Sequence, residues 1–142
     1  GTGKVSKGIL ETLGGESDKN YVPVEGFTGA PEMEGGLVKT LHPKIHAGLL
    51  AERGNPAHEE YLRETMANFG SGPGVCFDIL VSNLYQFNEA VAKDDATAET
   101  ARINIDIGGP GMTMAGCKNW HRVAVLSSPD PYNPFLLVTT DI

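Results

Sequence analysis

Short apolar runs alternate with helix-like segments along the second half of this chain. Residues 75–85 and 122–128 are short, apolar and rich in β-branched side chains, which is typical of buried strands in a parallel sheet. A capping residue, Asn55, and an apolar stripe predict a helix over 55–70, and a glycine turn predicts the start of another within 104–119. One more helix is predicted, at 89–93 or at 97–102. Strands that alternate with helices indicate an α/β fold with a parallel sheet.

The first part of the chain has a less regular pattern. Segment 21–27 is predicted to be a short strand, and 28–40 is a loop rich in Gly and Pro that should turn into a helix at Pro43. A domain of this type normally begins with a strand, and none precedes Gly1, so we expect the first strand of the fold to be missing. No linker divides the chain, so residues 1–142 are predicted to form one domain. An earlier short helix is indicated by apolar residues at helical spacing, Val5, Ile9, Leu10 and Leu13.

The charge and the cysteines narrow the class of protein. Lys and Arg total 11 against 18 Asp and Glu, and the resulting net charge of −7 argues against a nucleic-acid or anionic-membrane surface. The sequence contains no apolar run long enough for a transmembrane helix and no secretory signal, so we expect a cytoplasmic protein. Cys76 and Cys117 lie in or beside apolar runs, and we expect two free, buried thiols.

Lysines and histidines concentrate between Lys39 and His46 despite the acidic composition. Metal binding through His42 and His46 is disfavoured, because Pro43 interrupts a regular helix through them and no acidic ligand is adjacent. A second interpretation is structural: the loop becomes a helix at Pro43. In the third, the cationic residues and nearby backbone amides bind a phosphate or carboxylate. The structural interpretation assigns three residues to the core, Ile45, Leu49 and Leu50.

A glycine turn with a lysine opens the chain. Gly1-Thr2-Gly3-Lys4 has residues that let backbone amides approach an anion, although it lacks the upstream glycine and the preceding strand of a Walker loop. The alternative is a flexible terminus.

Polar residues follow the first predicted strand and precede the 104–119 helix. Ligands bind at the carboxyl ends of strands in open α/β sheets, which favours Asn83 and Tyr85 as site residues; a strand-end tyrosine in water is the alternative. Asp106 precedes a glycine turn, where it either caps the helix or lies beside amides that stabilise a developing oxyanion. Lys118 either reaches back to that site or stabilises the helix dipole.

Long motifs in this order resemble the IMP cyclohydrolase domain of the bifunctional enzymes AICAR transformylase/IMP cyclohydrolase. The matching stretches are GFTGAPEMEGGLVKTLHPKIHAGLLAER, DILVSNLYQF, NIDIGGPGMTMAGCKN and RVAVLSSPDPY. The resemblance implies a Rossmann-like three-layer fold of the methylglyoxal synthase type. It also implies an enzyme of purine biosynthesis that closes formyl-AICAR to IMP with loss of water. Neither a metal nor an organic cofactor is implied, and the expected partners are a small nucleotide and a second copy of the chain.

The resemblance also implies roles for individual residues. Lys39 and Thr40 are expected to contact the ligand, and Tyr85 to lie beside the reacting group. Asp106 is the implied base on the carboxamide nitrogen, and Lys118 the implied acid on the formyl oxygen. Lys39, Tyr85, Asp106 and Lys118, the expected catalytic residues, should therefore line one cleft. The other expected substrate-binding residues are Thr2, Gly3, Lys4, Asn83, Gly108 and Gly109, where the two glycines supply oxyanion-binding amides.

The chain departs from the family pattern at several positions. Leu37 replaces an arginine, Gln86 replaces a proline, and Trp120 lies in an apparent insertion. Two alternatives to the cyclohydrolase follow. One is a non-catalytic domain of the same fold that binds nucleotide phosphate. The other is methylglyoxal synthase itself, from which the I-D-I-G-G and N-L-Y motifs point away.

Overall fold

The computed structural model describes residues 8, 11–12, 21–34, 37, 39–130 and 135. The chain divides into two compact units, 1–77 and 78–142. Of the predicted first helix, Gly8, Glu11 and Thr12 are described, and all three are helical. The candidate phosphate turn, Thr2, Gly3 and Lys4, lies outside the described residues.

Helices account for the regular structure described in the first unit. Helix α1 spans Val24–Thr28 and α2 spans Pro43–Leu50. Helix α3 spans Pro56–Glu60 and continues as a π-helical turn over Tyr61–Thr65 and a 3-10 turn over Met66–Asn68. The predicted helix over 55–70 is therefore confirmed as a helical segment, although its hydrogen-bonding pattern changes twice.

The prediction of a strand over 21–27 is wrong, because α1 occupies most of that segment. Pro23 sets the backbone before the helix, with a φ of −59°, and Gly29 ends it in the left-handed region with a φ of 71°. The Thr28 hydroxyl donates a hydrogen bond to the Val24 carbonyl at 2.8 Å, within the same turn. Pro and Gly thus mark the two ends of a single helical turn, a signal that outweighs the short apolar alternation.

Helix α2 starts where the sequence predicts it. Pro43 is its first residue, and the His42 ring accepts a hydrogen bond at Nδ1 from the Lys44 backbone N–H at 3.1 Å. Ile45 and Leu49 are buried as expected, whereas Leu50 is 39% exposed and does not belong to the core.

Asn55 caps α3 as predicted, because its side-chain oxygen accepts hydrogen bonds from the Ala57 and His58 backbone N–H groups. Leu62 and Met66 face the core, with exposures of 4% and 1%. The Leu62 carbonyl accepts a hydrogen bond from Gly74 N–H at 2.8 Å, which connects this helical segment to the chain that follows it.

Within residues 78–130, the second unit contains a parallel sheet and three helices. Strand β1 (Ile79–Val81) pairs in parallel with β2 (Ala124–Leu126), and Leu80 lies opposite Val125. Both segments considered for a further helix are helical. The helices are α4 (Phe87–Val91), α5 (Ala98–Ile103) and α6 (Gly108–Lys118). The predicted α/β class with a parallel sheet is confirmed.

Strand β1 is shorter and more exposed than its sequence predicts. Leu80 is buried, but Ile79 is 48% exposed and Val81 is 52% exposed. Helix α6 covers the Leu80 face, because Gly116 approaches Val125 so closely that a Cβ atom there would lie 2.6 Å from its Cγ2. A continuous apolar run predicts cover on both faces, and the buried residue of β1 faces one helix.

The two cysteines are free, as predicted, but they are not buried. Cys76 is partly exposed and Cys117 is exposed on the last turn of α6. An apolar neighbourhood in sequence therefore does not bury these thiols.

Candidate active site

Lys39 is held by carboxylates in the first unit. Its Nζ lies 2.7 Å from Glu32 Oε1 and 4.0 Å from Glu25 Oε1, and its side chain is 14% exposed. Thr40, the neighbouring candidate, is half-buried. Lys39 is thus a largely covered cation whose charge is already matched by acidic groups.

Lys44 is the more deeply buried lysine of the basic cluster, with 0% exposure. Its Nζ donates hydrogen bonds to the carbonyls of Phe69 at 2.6 Å, Gly72 at 2.7 Å and Ser71 at 3.2 Å. The ammonium also lies 4.5 Å from the centre of the Phe27 ring. Burial lowers the pKa of Lys44, while the three carbonyl oxygens favour its charged form. The structure therefore assigns Lys44 to the scaffold.

The same loop, residues 69–72, also contacts helix α1. Ser71 N–H donates a hydrogen bond to the Gly26 carbonyl at 3.1 Å. Gly29 and Gly70 both have positive φ, and a Cβ atom on Gly29 would lie 2.6 Å from the Gly70 backbone. Because α1 carries Glu25, the Lys44 contacts fix the position of one carboxylate beside Lys39.

The His42 side chain caps the start of helix α2. Burial and the nearby Lys44 charge lower the pKa of His42 below its ordinary value, and the neutral ring can accept the Lys44 N–H bond at Nδ1. The ring also packs edge-on against Phe69, with 5.4 Å between ring centres. Among the described residues, no cluster of three or more His, Cys, Asp or Glu side chains is arranged to hold a metal ion.

Asp106 joins two segments of the second unit. Its Oδ1 accepts a hydrogen bond from Gly109 N–H at 2.9 Å, and its Oδ2 accepts one from Tyr85 N–H at 3.3 Å. Gly109 leaves room for this arrangement, because a Cβ atom there would lie 2.6 Å from Leu84 Cδ2 and 2.7 Å from Asp106 Oδ2, and these side chains would have to shift. Asp106 therefore caps the first turn of α6 and also fixes the chain after β1. The capping interpretation and the site interpretation are compatible.

The remaining candidates of the second unit differ in their position relative to this carboxylate. Asn83 is exposed. Tyr85 is 57% exposed, and its backbone N–H donates one of the hydrogen bonds to Asp106. Lys118 is exposed at the far end of α6, and the 11 residues of that helix separate Gly108 from Lys118 by about 15 Å along the axis. Within the described chain, no ion pair joins Lys118 to Asp106.

The candidates fall into two local groups. Lys39 and Thr40 belong to the first unit, whereas Asn83, Tyr85, Asp106, Gly108, Gly109 and Lys118 belong to the second. Of the second group, Tyr85, Asp106 and Gly109 are joined by hydrogen bonds. A single cleft lined by Lys39, Tyr85, Asp106 and Lys118 stays a prediction.

Glu25 and Glu32 are the residues of this region that the sequence interpretation missed. Glu32 precedes Lys39 by seven positions, in the acidic stretch Pro31-Glu32-Met33-Glu34. That stretch, beside the only dense basic cluster of an acidic chain, is the signal that could have indicated the pairing.

No family model matches the chain. The structure is similar to the crystal structure of ForH, with a TM-score of 0.65 and 25% sequence identity, over 95% of this chain and 63% of that one. This likeness and the parallel sheet are consistent with a fold of the methylglyoxal synthase class.

Curated relatives make the assignment more specific. The bifunctional purine biosynthesis protein PurH of Synechococcus sp. (strain CC9902) is 50% identical over 113 residues, which are 80% of this chain and 20% of that protein. PurH of Synechococcus sp. (strain WH7803) is 49% identical over 121 residues, 85% of this chain and 22% of that protein. PurH of Polynucleobacter necessarius subsp. necessarius (strain STIR1) is 46% identical over 132 residues, 93% of this chain and 24% of that protein.

The chain is a short PurH-like segment, and it spans about a fifth of the length of the curated relatives it matches. Among its described residues, no helix is both long and apolar enough to cross a membrane.

Proposed function

We propose that this segment carries the IMP cyclohydrolase chemistry of purine biosynthesis, the closure of formyl-AICAR to IMP with release of water. The relatives are whole bifunctional proteins of purine biosynthesis. The I-D-I-G-G, N-L-Y and K-T-L-H-P motifs make the cyclohydrolase half of that pair the better match to this segment.

The observation that carries the proposal is the geometry of Asp106. Two backbone N–H groups, of Gly109 and Tyr85, hold its carboxylate at the start of α6. The carboxylate is only partly buried, and Tyr85, which contacts it through its backbone N–H, is an exposed residue. A carboxylate that is fixed by two backbone N–H groups and is only partly buried fits a general base acting on a bound substrate.

In the proposed reaction the carboxamide nitrogen attacks the formyl carbon, and a carbon–nitrogen bond forms. Asp106 takes a proton from that nitrogen, and Lys118 gives a proton to the formyl oxygen. The resulting hydroxyl takes a second proton and leaves as water, and the ring C=N bond forms as the formamide nitrogen loses its proton. The two protons of the water are thus balanced by one proton lost from each nitrogen. Lys118 lies about 15 Å from Gly108 along α6, farther than a lysine side chain reaches, so its assignment as the acid rests on the motif resemblance and not on this geometry.

The first turn of α6 limits which amides can serve the developing oxyanion. Gly109 already donates its N–H to Asp106, Pro110 has no N–H, and Gly111 donates to the Ile107 carbonyl at 3.1 Å. Gly108 therefore provides the N–H that the proposal assigns to the oxyanion. Gly109 contributes the space that the Asp106 carboxylate occupies.

A non-catalytic nucleotide-phosphate binding domain is the second candidate. Two features favour this candidate over the enzyme. Lys39 is paired with Glu32, and Leu37 is exposed at a position where the family has an arginine. These features lower the positive charge that the family pattern offers to its substrate, so they count against turnover by this chain, and they also lower the affinity expected for a phosphate.

An absorbance assay of IMP formation from formyl-AICAR separates the two candidates. We expect turnover by the chain and a fall of about 10²–10⁴-fold in Asp106→Asn. Asparagine keeps one oxygen that can accept the Gly109 N–H bond, so the cap is retained, while the base and the acceptor of the longer Tyr85 N–H bond are lost. Asp95→Asn, at an exposed position of the same unit, is the matched control and should retain activity. Saturable IMP binding without turnover would instead support the binding domain.

A further inference from the structure

Two carboxylates surround the single ammonium of Lys39. Glu32 is in direct contact at 2.7 Å, and Glu25 is at the edge of ion-pair distance at 4.0 Å. Lys39 is largely covered, whereas the Glu32 side chain is 39% exposed. The group as a whole therefore has an excess of one negative charge, and its exposed member is an acid.

The loop itself brings Glu32 to Lys39. An antiparallel bridge between Met33 and Leu37 turns the chain back, so that the residues before and after the bridge come together. Glu32 lies immediately before this turn and Lys39 soon after it. The ion pair is thus formed within one loop, whereas Glu25 is held in place from α1.

A phosphate group would compete with Glu32 for the ammonium of Lys39. Both are oxygen anions that accept hydrogen bonds from the ammonium, and a phosphate that approaches the pair meets the Glu32 charge at close range. A neutral ligand does not meet this repulsion. The pair therefore affects charged and neutral ligands differently.

We propose that Glu32 is a specificity-determining residue of the Lys39 site. It occupies the ammonium until a phosphate displaces it, and so it sets how strongly phosphorylated ligands are preferred over neutral ones. This inference rests on the proposed function and on the expectation that Lys39 contacts the nucleotide, and it names the group that competes with that nucleotide.

Calorimetric titration of Glu32→Gln with IMP, inosine and inorganic pyrophosphate tests the proposal. Glutamine keeps the size and the hydrogen-bonding oxygen of Glu32 but removes its charge. We expect the dissociation constants for IMP and pyrophosphate to fall by about threefold to fivefold, the range of a partly exposed ion pair. The constant for inosine should not change. Glu34→Gln, at an exposed position of the same loop, is the matched control and should bind like the unsubstituted chain.

The three ligands separate the possible failures. If Lys39→Ala weakens IMP binding while Glu32→Gln leaves it unchanged, Glu32 does not compete and the inference is overturned with the proposed function intact. An equal gain for inosine and IMP would also overturn it, because the effect would not depend on ligand charge. If IMP does not bind but pyrophosphate binding tightens in Glu32→Gln, the inference holds and the nucleotide proposal fails. If no ligand binds, both are overturned.

Discussion

At the scale of single residues, Asp106 both caps helix α6 and links it to the chain after β1. As a cap it satisfies the Gly109 N–H, and as a link it accepts the Tyr85 N–H. Both bonds use backbone donors, so its position does not depend on another side chain. A carboxylate that is fixed in this way can remove a proton from a substrate without a large rearrangement, which supports its assignment as the base.

Substituting Lys39 should affect different kinetic quantities from substituting Asp106, because Lys39 is expected to contact the ligand and Asp106 to act as the base. Lys39→Ala should raise the dissociation constant for IMP by more than it lowers the rate of ring closure, since a binding contact made in both ground and transition states changes affinity first. Titration with IMP and single-turnover kinetics measure the two effects. Lys93→Ala, at an exposed position, is the control. An unchanged IMP affinity in Lys39→Ala would contradict its ligand role.

At the scale of elements, the start of α2 should make stability depend on pH. The pKa of His42 is lowered in the fold by burial and by Lys44, so the unfolded chain binds protons more readily than the folded chain does below the ordinary value of 6.5. The contribution of neutral His42 is therefore complete above pH 6.5 and is lost as the pH falls towards its folded pKa.

His42→Asn tests this effect directly, because asparagine is a good helix cap that does not titrate. We expect urea unfolding of the unsubstituted chain to show a loss of stability as the pH falls below the ordinary histidine pKa of 6.5, and this loss should be smaller in His42→Asn. His58→Asn, which removes another ring of the same unit, is the control. Identical pH profiles for the His42→Asn variant and the unsubstituted chain would show that His42 does not carry the dependence.

Elements with local signals were predictable from the sequence. Asn55 and Pro43 mark helix starts through groups within three residues, and the structure has helices at both. The error at 21–27 arose because Pro23 and Gly29 were not weighed as the two ends of one helical turn. Strand β1 was overestimated because apolar character alone does not say which faces a helix covers.

At the scale of the whole chain, the contacts that decide which lysine is available were beyond the sequence. Lys44 binds carbonyls 25 to 28 residues away, and no periodicity or spacing indicates that pairing. Lys39 meets Glu32 within one loop, so the acidic stretch gave at least a local hint. The motifs identified the candidate residues, and the long-range contacts of the fold separate the structural lysine from the candidate ligand lysine.

The prediction of one domain over 1–142 can be tested with a buried glycine in each unit. A Cβ atom at Gly48 would lie 2.6 Å from the Val75 carbonyl oxygen, and one at Gly116 would lie 2.6 Å from Val125 Cγ2. We expect Gly48→Ala and Gly116→Ala each to lower the free energy of unfolding by about 1–3 kcal/mol, as overpacking does. In a single domain, both variants should shift the same transition, followed by circular dichroism during urea unfolding.

The control is Gly26→Ala in α1, where a Cβ atom has no neighbour closer than 3.9 Å. Alanine also favours the helix more than glycine does, so this variant should unfold at the same or a slightly higher urea concentration. Two separate transitions, one shifted by Gly48→Ala and the other by Gly116→Ala, would contradict the single domain. Each unit would then unfold by itself, and the two groups of candidate residues would have to be assigned to independently folding parts.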